Sequence, residues 1–490
     1  MNKFLLFVLS CAPVLSHGQA AHITFKSKQA AGQAVKILAP LNGQFFWGMI
    51  QNEMLDSTGI LVLENRETVP GVYTFYCNGS YSLYVRPNQD YVVTVNADKK
   101  DRPLSIASAD SAGQLQLNKL SSEFYQTVGM NYYKADTSFV NNKARVQAAL
   151  DSCMRVFTQL KRNGQIDDGF LQFVSKKAKA YYASVLGASL IPSTHHLVFK
   201  KDSAAYDAGR IRLMQARWRE LATICDVSDP DNTGPGEYID YANLINMWLV
   251  GYIQGSLNGT FKKFKTQDDY EQFHYDNIQQ SYKGKLAEYL SASHLAYLLL
   301  EEKFLPQIPK EYKAFTTQYP HSPYTSFMKP GMEKLLAYQE KSKEDYTPQQ
   351  KFVPTYDSIN TFDAVVAYFP GKTLFIDLWA TWCGPCKAEF GYNKELRAFL
   401  KAKNIVPLYI SIDREEDEQR WKDMIKYYDL QGYHLRANPE LMKDIRRLFS
   451  NKDVLSIPRY VLIKDRKIVG LSMKAPSEKE ALYKQLESYL

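Results

Sequence analysis

The chain has little cysteine, with six in 490 residues. Cys11 falls in a leader-like N-terminus, so its removal would leave an odd set: Cys77, Cys153, Cys225, Cys383 and Cys386. That argues against a dense framework of structural disulfides and for one special pair with isolated thiols around it. Cys77 lies in a strand-like run, and Cys153 and Cys225 in helical patterns, where each reads as a small hydrophobic residue. Their positions leave a Cys153–Cys225 disulfide open. The sequence also lacks an apolar run of the ~20 residues that a membrane-spanning helix requires. It lacks a Lys/Arg block interleaved with stacking aromatics, and a formal charge of +8 over this length is modest, so we expect no nucleic-acid partner. His195-His196 is the one histidine pair to attract notice; without an acidic or cysteine neighbour it reads as a loop, and we expect no metal.

The 45% hydrophobic and 23% charged residues are those of an ordinary globular protein. At ~150 residues per domain the length suggests about three domains. Residues 1–20 read as a secretory signal peptide, with Lys3, the apolar run from Phe4, and small or polar residues near Gly18 and Ala20. Export to the periplasm or cell envelope follows, with membrane attachment expected only if Cys11 is lipidated. Residues 21–110 alternate apolar and polar positions between turn signals such as Pro70-Gly71, which predicts an antiparallel β-sandwich. Residues 111–342 change to helical spacing and predict an all-α domain of seven to nine helices with a core rich in aromatics. A polar, proline-containing connector, 343–351, precedes an α/β region, 352–490. There we expect strands at 373–380, 405–412, 459–463 and 467–470, and helices from about Cys383, from the acidic turn Glu415-Glu416-Asp417, and from Ser477.

The chemistry sits where the first of those strands gives way to a helix, at Cys383-Gly384-Pro385-Cys386. Residues three apart meet on one helical turn. The first thiol stands at the helix N-terminus, where unpaired N–H groups stabilise a thiolate, and the second lies one turn inside. Cys383 is therefore the expected exposed nucleophile and Cys386 the resolving thiol. No second C-x-x-C or C-x-x-H completes four zinc ligands. The only redox group expected is this disulfide, with no other cofactor.

The run Ile376-Asp-Leu-Trp-Ala-Thr-Trp-Cys-Gly-Pro-Cys-Lys387, with Ser456-Ile457-Pro458 some seventy residues later, resembles the thioredoxin superfamily. Glu389 further resembles the exported TlpA/ResA-like branch. The resemblance covers about 352–490 and implies a thioredoxin-like fold. It implies that Asp377 is a buried acid exchanging a proton with the resolving thiol, and that Pro458 is a cis-proline beside which Ile457 pairs with a substrate backbone. It also implies that Trp382, Gly384 and Pro385 line the substrate groove and that Glu389 takes part in the chemistry. Trp379 is expected to be packing and Lys387 a surface residue. Two positions depart from the branch pattern: Gly391, where a proline is common, and Tyr409, about where thioredoxins keep a lysine near the buried Asp.

The expected function is thus exported reduction of protein disulfides, with electrons supplied by a membrane thiol carrier of the DsbD or CcdA type. Gly-Pro between the cysteines favours a reductant. The same cysteines would serve a disulfide oxidase or isomerase. The large helical region would also suit a binding protein with an accessory redox domain.

Overall fold

A computed structural model of the chain describes residues 21–96, 104–120, 123–199, 207–261, 264, 266–450 and 454–490. The expected leader and Cys11 lie outside the described residues. Those described form two compact units: residues up to 262 with 277–286, and 263–276 with 287–490.

In the first unit, eight strands build two four-stranded sheets. They are β1 (His22–Lys26), β2 (Ala34–Leu38), β3 (Ile50–Met54), β4 (Ile60–Glu64), β5 (Gly71–Tyr76), β6 (Ser80–Val85), β7 (Tyr91–Val95) and β8 (Leu104–Ala107), with sheet orders β4-β1-β7-β8 and β3-β2-β5-β6. Alternating residues from both sheets, among them Phe25, Ile37, Phe75 and Val93, share one core, so this is a sandwich. It is not purely antiparallel as expected, because β1 runs parallel to β7. Alternation fixes which face is buried but carries no information on strand direction.

The helices that follow are α1 (Ser111–Leu117), α2 (Tyr125–Ala135), α3 (Phe139–Arg162), α4 (Asp168–Phe199), α5 (Ala208–Arg219) and α6 (Glu237–Leu244), then a π-helical stretch Ile245–Gln254 and α7 (Gly255–Asn258). The small residues of α4, including Ala180, Ala183 and Gly187, are buried, which lets other helices approach closely. At Gly129 of α2 a Cβ would stand 2.5 Å from both the Val185 oxygen and the Ala188 Cβ. Tyr238, Tyr241 and Trp218 are core residues, as the aromatic-rich pattern suggested. His195-His196 is not a loop. Both lie on α4, which continues past Pro192. Cys225 follows a short 3-10 turn rather than sitting in a helix, and Cys77, Cys153 and Cys225 are all free thiols.

Next come α8 (Gln267–Ser281), α9 (Gly284–Leu300), α10 (Ile308–Gln318) and α11 (Thr325–Ser342). The chain then runs β9 (Gln350–Phe352), α12 (Phe362–Ala367), β10 (Thr373–Trp379), α13 (Gly384–Glu389), α14 (Asn393–Ala402), β11 (Ile405–Ser411), α15 (Glu418–Tyr427), β12 (Gly432–Arg436), α16 (Pro439–Phe449), β13 (Arg459–Lys464), β14 (Lys467–Gly470) and α17 (Glu480–Glu487). The six strands form one sheet, β14-β13-β10-β11-β12-β9, with β10 inside it. Both faces are covered, so β10 reads as a nearly continuous apolar run. Leu374, Ile376 and Leu378 enter the core on one face and Phe375 that on the other.

Four elements escaped the sequence reading. One is β9, inside the expected connector, where Gln350 donates from Nε2 to the Ile425 carbonyl at 2.9 Å. The others are α12, β12 and α16. The helix expected from Cys383 begins at Gly384 and is divided by a 3-10 turn, Phe390–Tyr392.

Candidate active site

Successive side chains of β10 alternate between faces, and this alternation positions the acid. Phe375 shares a core with Leu396 and Leu400 of α14, and Trp379 packs edge-on against Phe390 at 5.2 Å. Asp377, between Phe375 and Trp379 in the alternation, faces the same way, under the helical run that carries Cys386. It is 4% exposed, and its Oδ1 has no hydrogen-bond partner among the described residues. Burial, and secondly the charge of Glu389, hold its pKa well above the ordinary carboxylate range. Its sheet neighbours are two tyrosines, Tyr409 on β11 and Tyr460 on β13. Tyr409 therefore does stand beside the acid. Burial raises both phenols, and Asp377 adds to the effect.

After β10 the chain turns through Ala380, Thr381 and Trp382 into α13. Asp413 fixes this turn: it accepts from the Thr381 N–H (2.9 Å), the Thr381 hydroxyl (2.8 Å) and the Ser411 hydroxyl (2.7 Å), all buried. No sequence pattern singled it out. Asp413→Ala would leave several buried donors without an acceptor at ~1–3 kcal/mol each, so we expect a loss of at least about 2 kcal/mol in urea denaturation. An unchanged midpoint would remove Asp413 from this role.

Cys383 is the N-cap of α13. Its Sγ accepts from the Cys386 N–H at 3.1 Å, and Pro385 sits in the first turn, where a missing N–H costs nothing. Cys383 and Cys386 are joined in a disulfide with Cα atoms 5.3 Å apart. The expected contrast in exposure is absent: Cys383 is 4% and Cys386 0% exposed. The exposed group is Trp382, at 61%. It walls two clefts, one of about 930 Å3 reaching Arg414, Arg436, Asn438 and Leu455, the other of about 510 Å3 reaching Tyr270, Glu301 and Arg420. The Ile457–Pro458 peptide is cis. Extending the β10–β13 register by one residue sets Pro458 opposite Trp379, at the strand end that feeds the cysteine turn.

Two charged residues differ from expectation. Lys387 is buried, not on the surface, because its Nζ donates to the Glu301 and Glu302 carbonyls at the end of α9, and burial lowers its pKa to about 8. Glu389 is held by Ser477, whose N–H and hydroxyl donate to it at 2.8 and 2.9 Å. It therefore ties α13 to the turn before α17, while its charge reaches Asp377. A second buried polar group, Glu271, His274 and His294, has the composition of a cation site. Its sequence signal was the Glu-x-x-His spacing, which the sequence reading passed over.

A family model described as Redoxin matches residues 347–486. The thiol-disulfide oxidoreductase ResA of Bacillus thuringiensis subsp. konkukian is 32% identical over 123 residues, which are 25% of this chain and 64% of the relative. Thioredoxin-1 of Caenorhabditis elegans is 38% identical over 56 residues, 11% of this chain and 47% of that protein. The solution structure of a Bacteroides vulgatus protein assigned to the thiol-disulfide oxidoreductases is 31% identical. It covers 25% of this chain and 79% of its own, with a TM-score of 0.22. The chain thus spans just under two thirds of the length of the ResA relative.

Proposed function

Because the C-terminal region of this chain belongs to the redoxin, thioredoxin-like family, we propose that the protein is an exported thiol-disulfide oxidoreductase that reduces protein disulfides through Cys383 and Cys386. The observation that carries this reading is the disulfide closed across the first turn of a helix, fed by a strand that holds a buried carboxyl whose Oδ1 has no hydrogen-bond partner among the described residues. In the reduced protein the Cys383 thiolate attacks one sulfur of a substrate disulfide. A mixed disulfide forms and the other substrate sulfur leaves as a thiolate. The Cys386 thiol gives its proton to Asp377 and attacks Cys383 Sγ, expelling the second substrate thiolate. Two electrons have then passed to the substrate, and the chain holds the Cys383–Cys386 disulfide. A raised pKa suits this exchange, since it makes the ionised carboxylate a stronger base toward the Cys386 thiol and lets it keep the proton it has taken. Glu389 modulates Asp377 through its charge. The spent disulfide is reset by a membrane thiol carrier of the DsbD or CcdA type, which presents its own dithiol to Cys383.

Insulin reduction and a glutathione redox titration test this reading. Turnover with dithiol present and a midpoint close to that of thioredoxins are expected. A strongly oxidising midpoint with net disulfide formation would make the protein an oxidase.

Trp382, Gly384, Pro385 and Ile457–Pro458 form the substrate face in this reading. An exposed aromatic between two clefts is suited to anchor a polypeptide. Trp382→Ala should raise KM for a protein disulfide on the order of tenfold, a loss of about 1.4 kcal/mol, while a small aromatic disulfide is reduced as before. Equal losses on both substrates would place Trp382 in the chemistry instead.

A further inference from the structure

α8 and α9 carry polar groups that the redox reaction does not use. Glu271 and His274 are three residues apart on α8 and so share a face. His294 comes from α9, its ring 4.7 Å from that of His274 and edge-on to it. All three are buried, at 4%, 6% and 7% exposure, and their ligand atoms lie within 4.8 Å of one another. We propose that Glu271, His274 and His294 bind one first-row divalent cation of the Zn2+ type, in a closed structural site that pins α8 to α9.

Two further observations point to a ligand. One ring nitrogen of His294 is committed to the Glu271 backbone. That bond sets the tautomer and leaves Nε2, which has no hydrogen-bond partner among the described residues, as the free lone pair. Nε2 stands 3.9 Å from Glu271 Oε2. On α10, Glu311 is 4% exposed, and neither of its carboxyl oxygens has a partner among the described residues. It lies within range of Glu271's charge but outside the group whose ligand atoms are within 4.8 Å of one another, so its side chain would have to turn inward to become the fourth ligand.

Tetrahedral zinc with bonds of 2.0–2.2 Å sets its ligand atoms about 3.4 Å apart. A pair at the 4.8 Å limit would have to close by about 1.4 Å. Two neutral imidazoles with one or two carboxylates suit zinc and its neighbours, whereas magnesium and calcium favour all-oxygen sites. Lys303 opposes the cation. Its Nζ pairs with Glu271 Oε1 at 2.8 Å, leaving Oε2 on the side of His294. Lys303 already forms a buried ion pair with Glu271, so only its removal separates the two cases: a cation site gains from it and a simple ion pair loses.

The test titrates Zn2+ into the full chain in its disulfide form, so that Cys383 and Cys386 cannot bind, and follows heat and melting temperature. One equivalent should bind and raise the melting temperature. His294→Ala and His274→Ala should each weaken binding at least tenfold, and Lys303→Met should tighten it severalfold, a gain that misfolding does not mimic. Co2+ in the wild-type chain should give weak ligand-field bands without thiolate charge transfer. No saturable binding, thiolate charge transfer, unchanged affinity in both folded histidine variants, or no tightening in Lys303→Met would each overturn the site. Disulfide reduction by Cys383 is read separately with insulin, so the two readings fail independently.

Discussion

Cys383→Ser should bring insulin reduction down to the uncatalysed rate, whereas Cys386→Ala should still attack but stay joined to its substrate. The difference follows from their places on α13. Cys383 is the N-cap, with its sulfur receiving the Cys386 N–H, so an anion there meets a donor already aimed at it, and a hydroxyl supplies no comparable nucleophile. Cys386 lies one turn inside and is fully buried. Its task is to break a bond that Cys383 has already made. Non-reducing gels should show a mixed-disulfide ladder for Cys386→Ala and none for Cys383→Ser. The reverse pattern would exchange the two roles. Alkylation of the single-cysteine variants should agree, with Cys383 reacting at the lower pH.

Asp377→Asn has the second large effect, and it acts in opposite directions on rate and stability. Proton transfer by a placed side chain contributes ~10²–10⁴-fold, so resolution of the mixed disulfide should slow by about that range while its formation changes little. Single-turnover kinetics separate the two steps; equal slowing of both would count against the role. The stability effect follows from the raised pKa. Between the ordinary value of 3.8 and the higher folded value, the native state holds a proton that the unfolded chain has lost. Stability is thereby lost as pH rises through that window. Asparagine carries no such cost. The variant should melt at a higher temperature than the wild type at neutral pH, with the advantage shrinking as pH falls toward about 4. A lower melting temperature at neutral pH would mean that the carboxyl is satisfied by contacts asparagine cannot make.

What the sequence made legible was local in the chain. Cys383-Gly-Pro-Cys386, the apolar run of β10 and the Ile457-Pro458 dipeptide each announce themselves within a dozen residues, and the structure brings the first and last of them together at the C-terminal end of β10. Lys387 could not be read this way, because its burial is decided by carbonyl groups 86 and 85 positions earlier. Asp413 was hidden because a buried acid held by Thr381 and Ser411 looks like any polar residue after a strand. β12 was missed because its interior is polar: His434 is fully buried, with Nε2 2.8 Å from the Leu430 carbonyl oxygen, and Arg436 is nearly so. In the helical region the aromatic core was visible as periodicity, but the buried histidines of α8 and α9 were not. Only the facing of two helices makes Glu271, His274 and His294 a group.

The contact at Lys387 bears on how this protein can be cut and grafted. A designer working from motifs would excise the redox module near residue 352, as one excises a free-standing thioredoxin. That incision would remove β9 and strip Lys387 of both its acceptors. It would also part Tyr427 from Phe304 and Tyr338, whose rings lie 5.3 and 5.6 Å away, and Arg420 from Asp268, paired at 2.6 Å. The excised piece would present a lysine and a tyrosine cluster to water beside its cysteines. The portion to transplant whole is the continuous run 266–490, so α8, α9, α10 and α11 travel intact with the disulfide as its collar.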